Sequence, residues 1–345
     1  MKRKAVSQLV VLIVLLGWIC LNYFACEWTP ERDNPLDPNS ELYHPPSPGS
    51  ITGEVHNLSG TSSLSGVWVS LESGGQGVVT ASNGRYVIEN VSDGLHWVRI
   101  RKDGYSDDSS QVSVQTDRID TANFRMNALP VFDSVSVTLH RIYLYPLYDE
   151  YVTICARITD SDQNISTVTD TTILVLFEGD TLGKLNYSTN QITGSFTFGK
   201  DFPISDFSGI SAQDIVGRPF TLIAIDQAGG NSISGSYSIV RYLDTPGVSY
   251  PVDLQTVSTP MPTLIWVDPV LAFSYFQNVR VFSNTDAFVW DSLLIAPTII
   301  QVTVTDSLLP TGIVSGIDHY YWTLEIMDLF GNTGQSRKAK FKVQY

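Results

Sequence analysis

The sequence predicts an all-β protein of tandem β-sandwiches following an N-terminal signal helix, and three observations lead there. Charged residues make up 16% of the chain, against roughly 25% in average soluble domains, while aromatic residues reach 11%. From Ser50 onward no apolar period of 3.6 residues is sustained. Short alternating runs are instead broken by Gly, Asn, Asp and Ser about every eight to twelve residues, as strands and tight turns require. At roughly 150 residues per domain, 345 residues allow two or three such units. Breaks at Leu129-Pro130 and Asp244-Thr245-Pro246-Gly247 divide the body into 50–128, 129–243 and 244–345.

Lys2-Arg3-Lys4 precede an apolar run from Leu9 to Leu21, and the pattern over 1–25 is that of an export signal. Ala25-Cys26 then resembles the lipobox of bacterial lipoproteins, although Tyr23 stands where that family usually has Leu. The resemblance implies that Cys26 is acylated and becomes the first residue after cleavage, with a membrane partner reached through that lipid. An ordinary secretory signal and an uncleaved anchor are the alternatives, since Ala5 to Ala25 is long enough to span about 30 Å of hydrocarbon. All three readings export the body, because the basic end stays inside. The lipobox resemblance implies a bacterial cell envelope, at the outer membrane or cell surface. In 26–49, Pro30, Pro35, Pro38, Pro45, Pro46 and Pro48 favour an extended polyproline tether. Arg32 to Pro38 is similar to a short motif that follows the acylated cysteine in some surface lipoproteins.

In 50–128 the runs Ile51-Thr52-Gly53-Glu54-Val55, Val67-Trp68-Val69-Ser70-Leu71, Arg85-Tyr86-Val87-Ile88 and Leu95-His96-Trp97-Val98-Arg99-Ile100 alternate as strands. The turn dipeptides Asn83-Gly84 and Asp103-Gly104 punctuate them. This stretch resembles a carboxypeptidase regulatory-like domain, which implies a seven-stranded transthyretin-like sandwich. In that family the domain is an accessory module, so no peptidase activity is implied. Val67, Val69 and Leu71 share one face, as do Val98 and Ile100, which turns Trp68, Trp97 and Arg99 outward. Two exposed indoles with a guanidinium nearby form a candidate carbohydrate site, or else cover a domain junction or sheet edge.

The stretch 244–345 resembles fibronectin type III-like or related immunoglobulin-like domains. Leu264-Ile265-Trp266 supplies an early strand with a core tryptophan, and Tyr320, Trp322, Leu324 and Ile326 share a core-facing parity. In 129–243 a fainter version of the same ending recurs. Phe220 to Asp226 leads into Gly229-Gly230-Asn231, as Tyr320 to Asp328 leads into Phe330-Gly331-Asn332, and the two read as tandem immunoglobulin-like sandwiches.

Catalytic chemistry is sparse. His44, His56, His96, His140 and His319 share no metal-ligand spacing, and no G-x-S-x-G elbow occurs. His96 has core parity and reads as a satisfied imidazole. Gly194 to Lys200 fits G-x-x-x-x-G-K, but Asp201 replaces the Ser or Thr of a phosphate loop and the interior alternates as a strand. Asp160-Ser161-Asp162-Gln163-Asn164 begins like a calcium loop, yet Ile165 stands where Gly is needed and Thr171 where Glu belongs. It is read as a solvated turn, and no metal or cofactor is expected. Cys155, in an apolar strand, reads as a small buried hydrophobe rather than a catalytic thiol. The N-x-S sequons at Asn57, Asn90, Asn164 and Asn186 are chance matches in a bacterial lipoprotein. A net charge of −14 argues against a nucleic-acid partner. The leading expectation is a non-catalytic, lipid-anchored surface protein acting as a multi-domain adhesion, scaffold or binding module, and the alternative is carbohydrate binding by the first sandwich through Trp68 and Trp97.

Overall fold

The computed structural model of the chain describes Val14 and residues 34–35, 37–45, 47–72, 75, 77–165, 172–192 and 195–345. Apart from Val14, the expected signal helix lies outside the described residues, as does Cys26. All described elements are strands except one 3-10 turn at Ile204–Asp206. The protein is therefore an all-β assembly of sandwich sheets.

The first stretch holds β1 (Gly49–Asn57), β2 (Trp68–Leu71), β3 (Gly77–Val79), β4 (Arg85–Val91), β5 (Gly94–Arg101), β6 (Asp108–Val114), β7 (Ile119–Thr121) and β8 (Phe124–Met126). They form one sheet in the order β4-β1-β7, with β8 also on β1, and another in the order β3-β2-β5-β6. The middle holds β9 (Val131–Leu144), β10 (Leu147–Thr159), β11 (Thr172–Phe177), β12 (Asp180–Lys184), β13 (Asn186–Ile192), β14 (Ser195–Pro203), β15 (Phe220–Ile225) and β16 (Asn231–Ile233). The last stretch holds β17 (Val248–Tyr250), β18 (Gln255–Val257), β19 (Thr263–Trp266), β20 (Tyr275–Ser283) and β21 (Phe288–Ile295). It continues with β22 (Gln301–Thr303), β23 (Tyr320–Asp328), β24 (Thr333–Gln335) and β25 (Ala339–Val343).

By proximity the chain divides into two compact units. One comprises residues up to Thr52 together with Val87–His96 and Val112–Thr121. There β1 runs parallel to β7, Ser50 opposite Ile119. The Ser47 amide donates to Asp117 Oδ1 at 2.8 Å, which secures the entry to β1. Of the expected tether, 26–33 lie outside the described residues, and the described part from Asn34 to Tyr43 makes successive turns: Asp37 N donates to Asn34 O, Ser40 N to Asp37 O and Tyr43 N to Ser40 O. Asp37 drives this, because its carboxylate also accepts the Asn39 amide and competes with extended backbone. His96 is buried, with Nε2 2.7 Å from Ser92 O, the satisfied imidazole its parity predicts.

The other unit contains the rest. In its middle stretch β10 turns Val152, Ile154, Ala156 and Ile158 inward, where they join Ile173, Val175, Leu222 and Ala224 in one core. Cys155 has the opposite parity and is half-buried, not a core residue. Ser195 to Lys200 is strand β14 and not a phosphate-binding loop. In the last stretch Leu264, Trp266, Tyr320, Trp322 and Leu324 share a core. Trp266 Nε1 donates to Gln277 Oε1 and Trp322 Nε1 to Pro251 O, so both indoles are buried without an orphaned donor. Strand β23 is buried on both faces from Tyr320 to Leu324, which parity alone did not predict.

Middle and last stretches share a sheet. Strand β24 pairs in parallel with β9, Thr333 opposite His140, within the order β13-β14-β10-β9-β24-β23-β20-β21. A repeated clamp accompanies the junctions. Asp226 Oδ1 accepts the Ala228 and Gly230 amides at 2.8 Å, and Asp328 Oδ1 accepts those of Phe330 and Asn332 at 2.9 Å. In each case the other oxygen reaches the end of the preceding stretch: Asp226 Oδ2 accepts Asn127 Nδ2 at 2.7 Å, and Asp328 Oδ2 faces an Arg241 guanidinium nitrogen at 3.5 Å. A Cβ on Gly230 would lie 2.3 Å from Asn127 Nδ2, so only glycine permits that approach.

Candidate functional site

The site forms on the outer face of β2 and β5. These pair antiparallel, with Trp68 opposite Arg101 and Ser70 opposite Arg99. Val69, Leu71, Val98 and Ile100 fill the interior, which leaves Trp68, Ser70, Trp97, Arg99 and Arg101 on the outer face. Trp68 is 45% exposed and Trp97 43%. On the far flank of β2, Gly77 stands opposite Ser70. A Cβ there would fall 2.1 Å from Trp68 Cζ2, so the indole lies against the glycine backbone. A glycine thus gives the ring its seat and leaves its remaining surface to solvent.

A cleft of about 570 Å³ opens beside that ring, lined by Trp68, Ser70, Arg99, Arg101, Asp107 and Asp108 among others. Its volume falls in the range of small-ligand sites, roughly 300–1,000 Å³. Arg101 Nε donates to Asp107 Oδ2 at 3.0 Å, and an Arg99 guanidinium nitrogen to Glu72 Oε1 at 2.7 Å. All four side chains are about half-exposed or more, so the pairs add little stability, but they orient the guanidinium planes. The cleft therefore combines one flat apolar surface with oriented donors and acceptors, which is the chemistry that recognises polyols.

The structure brings together Trp68 and Arg99 of the three expected residues. Trp97 lies four residues from Arg101, the partner of Trp68, or about 13 Å along the strand, and it does not line the cleft. Arg101, Asp107 and Asp108 were not anticipated. Arg101 carried a signal, sharing the parity of Arg99, whereas Gly77 is recognisable only once the β2–β3 register is known.

Elsewhere, the β9–β10 hairpin tip exposes Leu144, Tyr145, Leu147 and Tyr148, with Tyr143 and Tyr148 rings 5.1 Å apart. The Arg141 guanidinium lies 3.7 Å over Tyr148 and pairs with Glu150 and Asp244. Burial pushes the Cys155 thiol up, away from thiolate reactivity. Asp160, expected in a solvated turn, is instead buried. Among the described residues no three His, Cys, Asp or Glu side chains are placed to hold a metal ion by themselves. No described helix is long and apolar enough to cross a membrane.

Comparison with known proteins places residues 50–127 in the class of carboxypeptidase regulatory-like domains, whose model they match. No curated protein matches the chain. Solved structures align over long spans at low similarity. The major pilin subunit BcpA of Bacillus cereus is 10% identical, with 86% of this chain and 97% of that one covered and a TM-score of 0.26. The first three fibronectin domains of chicken CNTN1 are 10% identical, with 87% and 99% covered and a TM-score of 0.31. The fibronectin(III)-like modules of Clostridium thermocellum CbhA are 10% identical, with 62% and 93% covered and a TM-score of 0.28. At such scores the overlays carry no argument about function.

Proposed function

We propose that this chain is a non-catalytic, lipid-anchored protein of a bacterial cell envelope that binds saccharide in the Trp68 cleft of its first sandwich. The observation that carries the reading is the seating of the indole against Gly77 beside Arg99, Arg101, Asp107 and Asp108. An apolar ring face stacks on the C–H face of a sugar, while the flanking charged groups match its hydroxyls. The anchor rests on Ala25-Cys26, with Cys26 carrying lipid once the signal that includes Lys2-Arg3-Lys4 has been cleaved.

A second reading is contact with a protein partner, favoured by the hairpin tip, where Tyr145 is 83% and Leu147 71% exposed. The two separate in one experiment. The body from Ser50 onward is screened against a polysaccharide panel beside Trp68→Ala and Trp97→Ala. Loss of binding with Trp68→Ala, with binding kept in Trp97→Ala because Trp97 does not line the cleft, is the expected result. Binding that survives Trp68→Ala refutes the cleft, and no binding to any glycan turns the search to the hairpin. Cys26→Ser should release the full chain from membranes; full retention would favour an uncleaved helix.

A further inference from the structure

The loop Asp160 to Asn164 carries two buried oxygens with no hydrogen-bond donor: Asp160 Oδ2 and Asn164 Oδ1. Asp160 is only 2% exposed. Its other oxygen accepts the Asp162 amide at 2.8 Å, so the loop's own backbone satisfies half the carboxylate and leaves half unpaired. Asn164 Nδ2 donates to Asn127 Oδ1 at 2.7 Å, which turns its carbonyl oxygen away from that bond. The Gln163 amide donates to the Asp160 main-chain oxygen at 3.2 Å and to neither orphaned oxygen. Asp162 Oδ2 is engaged by the Ala128 amide, and both Asp226 oxygens are engaged by Ala228, Gly230 and Asn127. The loop thus places an orphaned Asp160 oxygen near the carboxylates of Asp162 and Asp226. An acceptor-rich, donor-poor pocket is costly unless a cation or proton occupies it.

We infer that this loop binds one divalent cation of the calcium class, through Asp160 Oδ2 and Asn164 Oδ1, with main-chain and water oxygens completing the shell. Calcium takes six to eight oxygen ligands in flexible geometry, and amide carbonyls serve as readily as carboxylates. Because one carboxylate and one amide supply the side-chain ligands, the absence of three convergent acids does not oppose it. So few charges imply weak affinity, in the range of roughly 10⁻⁴–10⁻³ M found in extracellular modules. Asn127, which bonds both Asn164 and Asp226, would couple occupancy to the clamp between the first and middle stretches.

The test is calorimetric titration of CaCl₂ into the full chain in detergent at pH 7, alongside Asp160→Asn and Asn164→Asp. One calcium per chain is expected. Asp160→Asn removes the charge while keeping the shape, and should weaken binding at least tenfold. Asn164→Asp adds a carboxylate and should tighten it several-fold, which keeps the inference testable if the first variant does not fold. Absence of calcium binding by the wild type overturns the inference, as does equal affinity in all three proteins, since the ion would then sit elsewhere. A proton shared between the two oxygens gives no calcium heat and counts as the former result.

Discussion

Replacing Asp328 with alanine should destabilise the last sandwich by about 3–5 kcal/mol. The carboxylate is 0% exposed and holds four donors: the Phe330 and Asn332 amides, Asn332 Nδ2 and, at 3.5 Å, the Arg241 guanidinium. Alanine strands the buried Asn332 amide and side-chain nitrogen, each at about 1–3 kcal/mol. Phe330 N–H lies in a partly exposed turn and recovers water, and the long Arg241 contact contributes little. The loss also propagates, because Asn332 Oδ1 accepts the Leu139 amide of β9 at 2.9 Å. Asparagine at 328 keeps the acceptor for both backbone amides and should cost less, about 1–2 kcal/mol. Urea denaturation followed through Trp266 and Trp322, both in this core, measures the difference directly. A change below about 1 kcal/mol for Asp328→Ala would refute the argument that this carboxylate satisfies buried donors.

Three further outcomes follow from the same geometry. Gly77→Ala, which forces the Trp68 indole off its seat, should abolish saccharide retention while shifting the urea midpoint little; unchanged retention would mean that the seat is irrelevant. Gly230→Ala drives a methyl group into Asn127 and Asp226, and should cost roughly 2 kcal/mol or more by the same denaturation. His140 lies between Thr138 and Thr333, stacked on Tyr151, and burial lowers its pKa despite the opposing charges of Glu325 and Asp201. Its neutral form is preferred in the fold, so stability is full above the unfolded value near 6.5 and declines as pH falls below it. Between pH 7 and 5, His140→Gln should show a shallower decline than the wild type; parallel profiles would remove His140 as the cause.

Much of the first sandwich was legible because alternation there is clean: Val67, Val69, Leu71, Val98 and Ile100 are buried as their parity requires, and Trp68 and Trp97 are exposed. Parity gives direction along a strand but not distance across a sheet, and only the register separates Trp97 from the cleft. Sequence distance hid the rest. Asp226 and Asp328 were recognisable as a repeated ending, but their links to Asn127 and Arg241 span 99 and 87 residues. Asp160 was misjudged for a related reason: a D-x-D-x-N run reads as a solvated turn unless the chain packed over it is known. The pairing of β9 with β24 left no local signal, since a parallel ladder across 193 residues is set by tertiary packing.

That pairing changes what the middle and last sandwiches can be to one another. Sandwiches joined only by a linker unfold independently and swing about it. Here Thr333, Gly334 and Gln335 form a ladder with β9, Asn332 holds the Leu139 amide, and Thr333 meets His140 at 2.8 Å. Arg141, one residue further along β9, gathers Glu150 and Asp244 beneath the Tyr148 and Tyr242 rings. Bending at this junction would break a sheet ladder and expose a half-buried guanidinium cluster, instead of merely turning a flexible linker. The stretch from β9 to β25 is therefore built as one stiff body, held by the β9–β24 ladder and the Asn332 and Thr333 contacts.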